Sequence, residues 1–211
     1  MQPDSALTNL PLVAILRGLL PSRAIDVGNV IVAAGLRCIE VPLNSPDPFA
    51  SIEKLARALG QECLIGAGTV LQPADVTAVR NAGGKLIVSP NCNPEVIAAA
   101  VEMDMVSLPG IATPTEAFMA VQAGTRHIKL FPASTYGPRH VKAMKDVLPP
   151  DVRVYAVGGV GAEDIATWLQ AGAAGFGFGS DLFKPTYSVE EIDERARRIK
   201  AAYDAAVERT E

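Results

Sequence analysis

The chain has 211 residues, of which 49% are apolar and 20% charged, which is typical of one folded globular domain and excludes a disordered or fibrous protein. Its net charge of -4 gives no general attraction to nucleic acid or to an anionic membrane. Met1 to Leu10 lacks a secretory pattern and no stretch approaches the roughly 18 apolar residues of a membrane span, so we expect a cytoplasmic protein.

A repeated unit runs along the chain. Ala-Gly pairs end an apolar helical pattern and precede a short β-rich run at four places: 34–35, 82–83, 123–124 and 171–172. Glycine suits the left-handed position that follows a helix, so the recurrence indicates successive β/α units. The predicted strands are Leu12–Leu16, Arg37–Val41, Leu64–Ala67, Lys85–Ser89, Met105–Leu108, His127–Phe131, Val154–Val157 and Gly175–Gly179. The predicted helices are Ser22–Ala34, Ser51–Leu59, Ala74–Asn81, Pro94–Val101, Thr115–Gln122, Pro138–Val147 and Ala162–Gln170.

Eight alternating strands and helices predict an α/β fold, a compact (β/α)8 TIM barrel, with a doubly wound open sheet as the alternative. We expect one domain over residues 1–211, with the barrel core at about 10–183 and a charged amphipathic helix at about 189–211. In such barrels the reactive groups lie at the carboxyl ends of the strands, and anions bind in the loops after strands seven and eight.

Two ionisable residues interrupt strands that are otherwise apolar. Strand alternation directs Glu40 away from the face that carries Ile39 and Val41, and directs Lys129 away from Ile128 and Leu130. Both side chains are therefore predicted inside the barrel, where a desolvated lysine can attack a carbonyl and a carboxylate can exchange protons. The alternatives are a structural ion pair for Glu40 and a snorkelling or phosphate-binding side chain for Lys129.

The loops at the same end of the strands carry candidate substrate contacts. Gly158 and Gly159 follow strand seven, and Gly179 and Ser180 follow strand eight, where backbone N–H groups and a hydroxyl can hold a phosphate. Arg17 closes strand one and could form a forked contact with a carboxylate or phosphate, or could simply lie on the surface. Thr69 and Pro90 supply small or polar groups at the same rim.

A metal centre is not expected. The chain has two histidines and three widely separated cysteines, without HExxH or CxxC spacing. We read Cys38 and Cys63 as packing residues, His127 as a packing or hydrogen-bonding residue and His140 as exposed. The predicted chemistry needs neither metal nor cofactor, and we expect full activity in excess chelator.

At these residues the sequence resembles the 2-keto-3-deoxy-6-phosphogluconate (KDPG) aldolase family, over about residues 10–183. The resemblance lies in five segments: Ala14-Ile15-Leu16-Arg17-Gly18, Ile39-Glu40-Val41-Pro42-Leu43-Asn44-Ser45, Gly66-Ala67-Gly68-Thr69-Val70, Ile128-Lys129-Leu130-Phe131-Pro132 and Ala156-Val157-Gly158-Gly159-Val160.

The resemblance implies a class I aldolase. It implies that Lys129 forms a Schiff base with the keto acid and that Glu40 is the general acid/base. It also implies that Arg17 and Thr69 contact the substrate, that Gly158, Gly159 and Ser180 lie at its phosphate, and that the assembly is a homotrimer. Pro90, Phe131 and Gly179 are further predicted substrate-binding residues.

Departures from the gluconate-type pattern concern the choice of sugar. Asn44 and Ser45 stand where that pattern has arginine and threonine, and Val157 stands where it has threonine. These changes resemble the galactonate-type branch, which cleaves a phosphorylated keto acid to pyruvate and glyceraldehyde 3-phosphate in galactonate breakdown. The alternatives are a gluconate-type aldolase, a phosphate-binding barrel isomerase or epimerase with Glu40 as its base, and a non-catalytic sugar-phosphate sensor.

Overall fold

The structure is a computed structural model and describes residues 7–209. In this part of the chain, parallel strands form a sheet that curves almost into a closed ring. The strands are β1 (Leu12–Ile15), β2 (Cys38–Pro42), β3 (Leu64–Gly68), β4 (Leu86–Val88), β5 (Val106–Leu108), β6 (Gly110–Ile111), β7 (His127–Leu130), β8 (Arg153–Val157) and β9 (Gly175–Phe178). The helices are α1 (Ala24–Ala33), α2 (Pro48–Leu59), α3 (Pro73–Asn81), α4 (Pro94–Glu102), α5 (Pro114–Gln122), α6 (Ala133–Tyr136), α7 (Pro138–Lys145), α8 (Ile165–Gln170) and α9 (Val189–Glu208). A single 3₁₀ turn, Ala162–Asp164, precedes α8.

The strand order is β5-β4-β3-β2-β1-β9-β8-β7-β6, and every pairing is parallel. The two outermost strands, β5 and β6, are separated in sequence only by Pro109, so the same short segment pairs with β4 on one side and with β7 on the other. Pro109 has no N–H to donate, but its carbonyl accepts a hydrogen bond from the Lys129 N–H at 2.9 Å. The sheet is thereby brought almost to closure.

Two apolar clusters lie on the two faces of this sheet. The larger one fills the layer between the strands and the helices and includes Ile39, Val41, Ile128 and Leu130. The smaller one lies inside the barrel and consists of Leu7, Val13, Cys38, Leu64, Leu86, Val88, Val106, Leu108, Tyr155 and Val157. The barrel is therefore packed with side chains at its base, and alternation along each strand decides which residue faces which cluster.

Local sequence accounts for most of the helix starts. Proline occupies the first turn of several helices, where its missing N–H costs nothing, as in α2, α4 and α5. Asn93 caps α4 by accepting from the Glu95 N–H, and Thr113 and Glu116 form a capping box at α5. Helix α2 begins at Pro48, three residues before the predicted start at Ser51, because the fixed φ of proline suits the first helical position.

The sequence predicted the positions of eight strands to within one residue, but residues 7–209 contain nine strands because β6 follows Pro109. Helix α6 was not predicted from the sequence, and the predicted helix at 162–170 begins as a 3₁₀ turn. The terminal helix is present as Val189–Glu208, while the last two residues of its predicted range and the first six of the chain lie outside the described residues. None of the helices between residues 7 and 209 is long and apolar enough to cross a membrane.

Below the mouth of the barrel, two buried polar side chains are joined. The His127 Nδ1 lies 3.1 Å from the Tyr155 hydroxyl, which donates to the Leu7 carbonyl at 3.0 Å. Tyr155 is fully buried and His127 nearly so. His127 is thus a hydrogen-bonding residue, as the sequence suggested. His140, predicted to be exposed, is instead half-buried and its Nε2 lies 2.7 Å from the Ala112 carbonyl oxygen.

We expect Tyr155→Phe to lower the free energy of unfolding by about 1–3 kcal/mol, because it removes the buried hydroxyl that interacts with His127 and donates to the Leu7 carbonyl. Urea denaturation measures the change. Tyr136→Phe is the matched control, since Tyr136 is 41% exposed and surface substitutions usually change stability by less than about 0.5 kcal/mol. Equal stability of the wild type and Tyr155→Phe would contradict the role given to this hydrogen bond.

Candidate active site

Glu40 lies on the inner face of β2, and its side chain is only 3% exposed. Its Oε2 atom has no hydrogen-bond partner among the described residues. A buried carboxylate without a full set of partners is costly to ionise, so such a group is poised to take up a proton. The space that the carboxylate occupies exists because the neighbouring strand β3 carries Gly68: a Cβ at that position would overlap both carboxylate oxygens.

We therefore expect Gly68→Ala to displace the Glu40 carboxylate and to lower kcat/KM by about 10²-fold, the effect of misplacing a reacting group by roughly 1 Å. Steady-state kinetics on the purified variant measures it. Gly28→Ala is a control for packing strain alone, because its methyl group would meet Leu55 and Leu59 between α1 and α2. If both variants lost the same activity, general instability rather than carboxylate displacement would explain the result.

Lys129 enters the barrel from β7 and is 5% exposed. Its Nζ lies 5.0 Å from the centre of the Phe131 ring, a distance at which an aromatic face attracts a cation. In the strand order, β2 and β7 are separated by β1, β9 and β8, so Glu40 and Lys129 project into the barrel from strands that are not neighbours.

Burial shifts the pKa of both ionisable groups in the direction that favours the uncharged form. Burial raises the pKa of the Glu40 carboxyl, and the positive charges of Lys129 and Arg17 offset only part of this rise. Burial lowers the pKa of the Lys129 ammonium; the Glu40 carboxylate opposes that shift and Arg17 adds to it. Burial therefore favours the uncharged forms of both groups, and the uncharged amine is the form that attacks a carbonyl.

Arg17 follows β1 at the mouth of the barrel, and its side chain is exposed. Its Nη1 donates to the Asn44 Oδ1 at 2.5 Å. The next residues in each loop are also hydrogen-bonded, because the Gly18 N–H donates to the Ser45 hydroxyl oxygen at 2.9 Å. The loops after β1 and β2 are thus joined by two consecutive hydrogen bonds.

A cavity of about 610 Å³ opens at this end of the barrel. It brings together six residues that the sequence nominated: Arg17, Phe131, Gly158, Gly159, Gly179 and Ser180. Ile15, which pairs in register with Glu40, also lines it, whereas the Glu40 and Lys129 side chains themselves are not part of its lining. Thr69 and Pro90 do not line this cavity. The Pro90 carbonyl packs instead against Gly110 of β6.

The loop after β8 follows a path that requires glycine. Gly158 and Gly159 have φ angles of 95° and 72°, which residues with a Cβ rarely adopt. Further along this loop the N–H groups are already occupied, because Gly161 donates to Asp164 at 2.8 Å and Ala162 to Asp181 at 3.3 Å. An anion in the cavity would therefore meet the earlier part of the loop, together with Gly179 and Ser180.

Thr69 has a left-handed backbone conformation with a φ of 56°. A β-branched residue in this region is strained by the order of 1–3 kcal/mol, and such strain is concentrated at functional sites. Thr69 immediately follows Gly68, which packs against the Glu40 carboxylate. Its position keeps it a candidate substrate contact although it lies outside the cavity lining.

Some residues in and near the cavity were not predicted from the sequence. Lys184 and Tyr187 follow β9 in the chain and line the cavity. The Lys184 Nζ lies 5.3 Å from the centre of the Tyr187 ring. Tyr155, which pairs in register with Lys129, could have been found from alternation on β8, because Val154 and Ala156 face the outer cluster. No group of three or more His, Cys, Asp or Glu side chains within residues 7–209 is arranged to hold a metal ion.

Comparison with known proteins gives consistent matches. The family model described as "KDPG and KHG aldolase" matches residues 4–197. The 2-dehydro-3-deoxy-6-phosphogalactonate aldolase of Escherichia coli (strain K12) is 48% identical over 95% of this chain and 98% of its own. A 2-dehydro-3-deoxy-phosphogluconate aldolase of Pseudomonas aeruginosa is 33% identical over 69% of this chain and 66% of its own. A solved structure described as "Native KDPGal structure" superimposes with a TM-score of 0.94 at 48% identity, covering 95% of this chain and 98% of the other.

Proposed function

The chain belongs to the KDPG and KHG aldolase family, and from that premise we propose that it cleaves 2-dehydro-3-deoxy-6-phosphogalactonate to pyruvate and D-glyceraldehyde 3-phosphate through a Schiff base on Lys129. The observation that carries the proposal is the burial of an amine and a carboxyl group in one barrel, each electrostatically coupled to the other. The 48% identity with a galactonate-type enzyme over nearly the whole of both chains supports the choice of substrate.

The first stage is imine formation. The neutral Lys129 Nζ attacks C2 of the keto acid, and Glu40 supplies and removes the protons that turn the carbinolamine into an iminium ion and water. Desolvation favours this step because it lowers the pKa of Lys129 and so leaves more of the amine uncharged. The Phe131 ring, beside the amine, limits the access of water.

The second stage is carbon–carbon cleavage. Glu40, now a carboxylate, removes the proton of the C4 hydroxyl while the C3–C4 bond breaks, and the bonding electrons flow into the iminium to give an enamine. Glyceraldehyde 3-phosphate leaves as the aldehyde product. Protonation at C3 and addition of water then release pyruvate and the free amine, so the water lost in imine formation is recovered.

Charged groups of the substrate are held at the mouth. We assign the substrate carboxylate to Arg17, whose guanidinium has N–H donors beyond the one given to Asn44. We assign the phosphate to Gly158, Gly159, Gly179 and Ser180, which line the cavity together. Thr69, Phe131 and Pro90 complete the proposed set; Pro90 has the least support because it lies outside the cavity lining.

Borohydride reduction in the presence of pyruvate tests the mechanism. An imine on Lys129 is reduced to a stable secondary amine, and mass spectrometry locates the adduct on the peptide that contains this residue. Pyruvate is the appropriate probe because it is the product that the same amine releases. An isomerase or epimerase that uses Glu40 as its base would form no such adduct, and neither would a sensor.

The sugar preference is tested with the two C4 epimers. A single hydroxyl contact changes the preference by roughly 1–3 kcal/mol, or up to about 200-fold in kcat/KM. We expect the galacto substrate to be cleaved faster. A preference for the gluco epimer would assign the chain to the alternative, a gluconate-type aldolase.

We also propose an eight-unit barrel in which β5 and β6 are two parts of one strand interrupted at Pro109, and a homotrimer in solution. Self-association is supported by exposed apolar side chains on three neighbouring units, namely Leu20, Phe49 and Leu71, which follow β1, β2 and β3. Light scattering after gel filtration measures the assembly. A cytoplasmic location stays a prediction from the sequence.

A further inference from the structure

The two hydrogen bonds between the loops after β1 and β2 form a clamp, which we define as Arg17 with Asn44 and Gly18 with Ser45. The backbone half of the clamp is rigid. Ser45 is 7% exposed, and its own N–H donates to the Pro42 carbonyl at 2.9 Å. Gly18 is confined from the other side, because a Cβ there would meet the Pro185 ring at 2.7 Å.

The side-chain half of the clamp orients an arginine that is otherwise exposed. A free arginine on a surface samples many rotamers, and ordering it for each substrate costs conformational entropy. Arg17 is instead held by the Asn44 oxygen, in a position where its charge influences both Glu40 and Lys129. The guanidinium is thus held near the reacting pair while no substrate is bound.

The chemistry of asparagine suits this task. Its amide oxygen accepts one N–H of Arg17 and leaves the other donors of the guanidinium for a ligand. The amide is neutral, so it leaves the positive charge of Arg17 intact. An aspartate at the same place would accept the same hydrogen bond but would compete with an anionic substrate for that charge.

We propose that Asn44 is a positioning residue that holds Arg17 towards the carboxylate of the keto acid, with Ser45 fixing the backbone from which Arg17 extends. The proposal rests on the proposed function, in which Arg17 binds that carboxylate. Asn44 acts only through Arg17 and need not touch the substrate.

A double-mutant cycle tests this dependence. Asn44→Ala should raise the KM for the phosphorylated keto acid by about tenfold, the value of one hydrogen bond to a charged group, and should change kcat by less than about threefold. Arg17→Met should raise KM further. In the Arg17→Met background, Asn44→Ala should change KM by less than about twofold, because the residue that it positions is gone.

Asn44→Asp keeps a hydrogen-bond acceptor for Arg17 but adds a negative charge. We expect a higher KM than in Asn44→Ala, because the carboxylate neutralises the charge of Arg17. Asn81→Ala, exposed at the end of α3, is the matched control and should leave KM unchanged. The proposal is overturned if Asn44→Ala leaves KM unchanged, if it raises KM equally with and without Arg17, or if Asn44→Asp binds substrate as well as the wild type. Each of these results would leave the wild-type borohydride adduct with pyruvate in place, so failure of the clamp is distinguishable from failure of the aldolase mechanism.

Discussion

Replacing Lys129 by alanine is expected to lower kcat by about 10⁴-fold or more, the scale of loss when a covalent nucleophile is removed. We expect no other lysine to substitute, because Lys129 is the only buried lysine among residues 7–209. The same variant should give no pyruvate-dependent adduct with borohydride. A coupled assay for pyruvate release and intact-protein mass spectrometry measure the two effects.

Lys129→Met serves as a second variant, since its side chain fills most of the vacated space and guards against collapse of the site. Lys85→Ala is the matched control: Lys85 is exposed and lies just before β4, at the opposite end of the strands from the cavity. Retention of the adduct in either Lys129 variant would place the imine on another residue and would remove the basis of the mechanism.

Replacing Glu40 by glutamine is expected to lower kcat by about 10²–10⁴-fold, the usual contribution of a general acid/base. Glutamine keeps the size of the side chain but cannot exchange protons, so both imine formation and cleavage become slow. Single-turnover kinetics should show a slowed approach to the imine, while prolonged incubation with pyruvate and borohydride still yields some adduct. Glu53→Gln, an exposed change on α2, is the control. Wild-type kcat in Glu40→Gln would exclude the carboxylate from proton transfer.

The same variant reveals a pH dependence of stability. Burial raises the pKa of Glu40 from 4.5 to about 7 in the folded protein. Between these values the folded state holds more protons than the unfolded chain, so the contribution of Glu40 to the unfolding free energy falls as pH rises. We expect the wild type to lose stability relative to Glu40→Gln between about pH 5 and about pH 8. Denaturant unfolding at both pH values measures this, and a pH-independent difference would contradict the raised pKa.

The sequence was sufficient to predict the barrel and the burial of its two ionisable side chains. Period-two alternation around Glu40 and Lys129 is a local property, and each of the eight predicted strands agrees with the structure to within one residue. The split at Pro109 was not predicted, because it depends on two different strands pairing with the same short segment. Pro109 can be read from the sequence, but the pairing of the segment around it with β4 and with β7 cannot.

Contacts between loops could not be predicted from the sequence either. Asn44 and Ser45 were noted as departures from a family pattern, but their hydrogen bonds to Arg17 and Gly18 join residues 27 positions apart and depend on side-chain placement. Gly68 was recognised as part of a motif, while its role in making room for the Glu40 carboxylate appears only when β2 and β3 are set in register. The roles of all these residues in catalysis stay predictions.

The arrangement of Glu40 and Lys129 on strands that face each other across the ring has a consequence during synthesis of the chain. Until the late strands dock against the early ones, the lysine is hydrated and has its ordinary basicity, and the carboxylate is an ordinary surface acid. An incomplete or misassembled chain therefore has no reactive amine with which to capture cellular keto acids. Chemical competence appears together with completion of the ring, so the recovery of pyruvate trapping during refolding would time that last event.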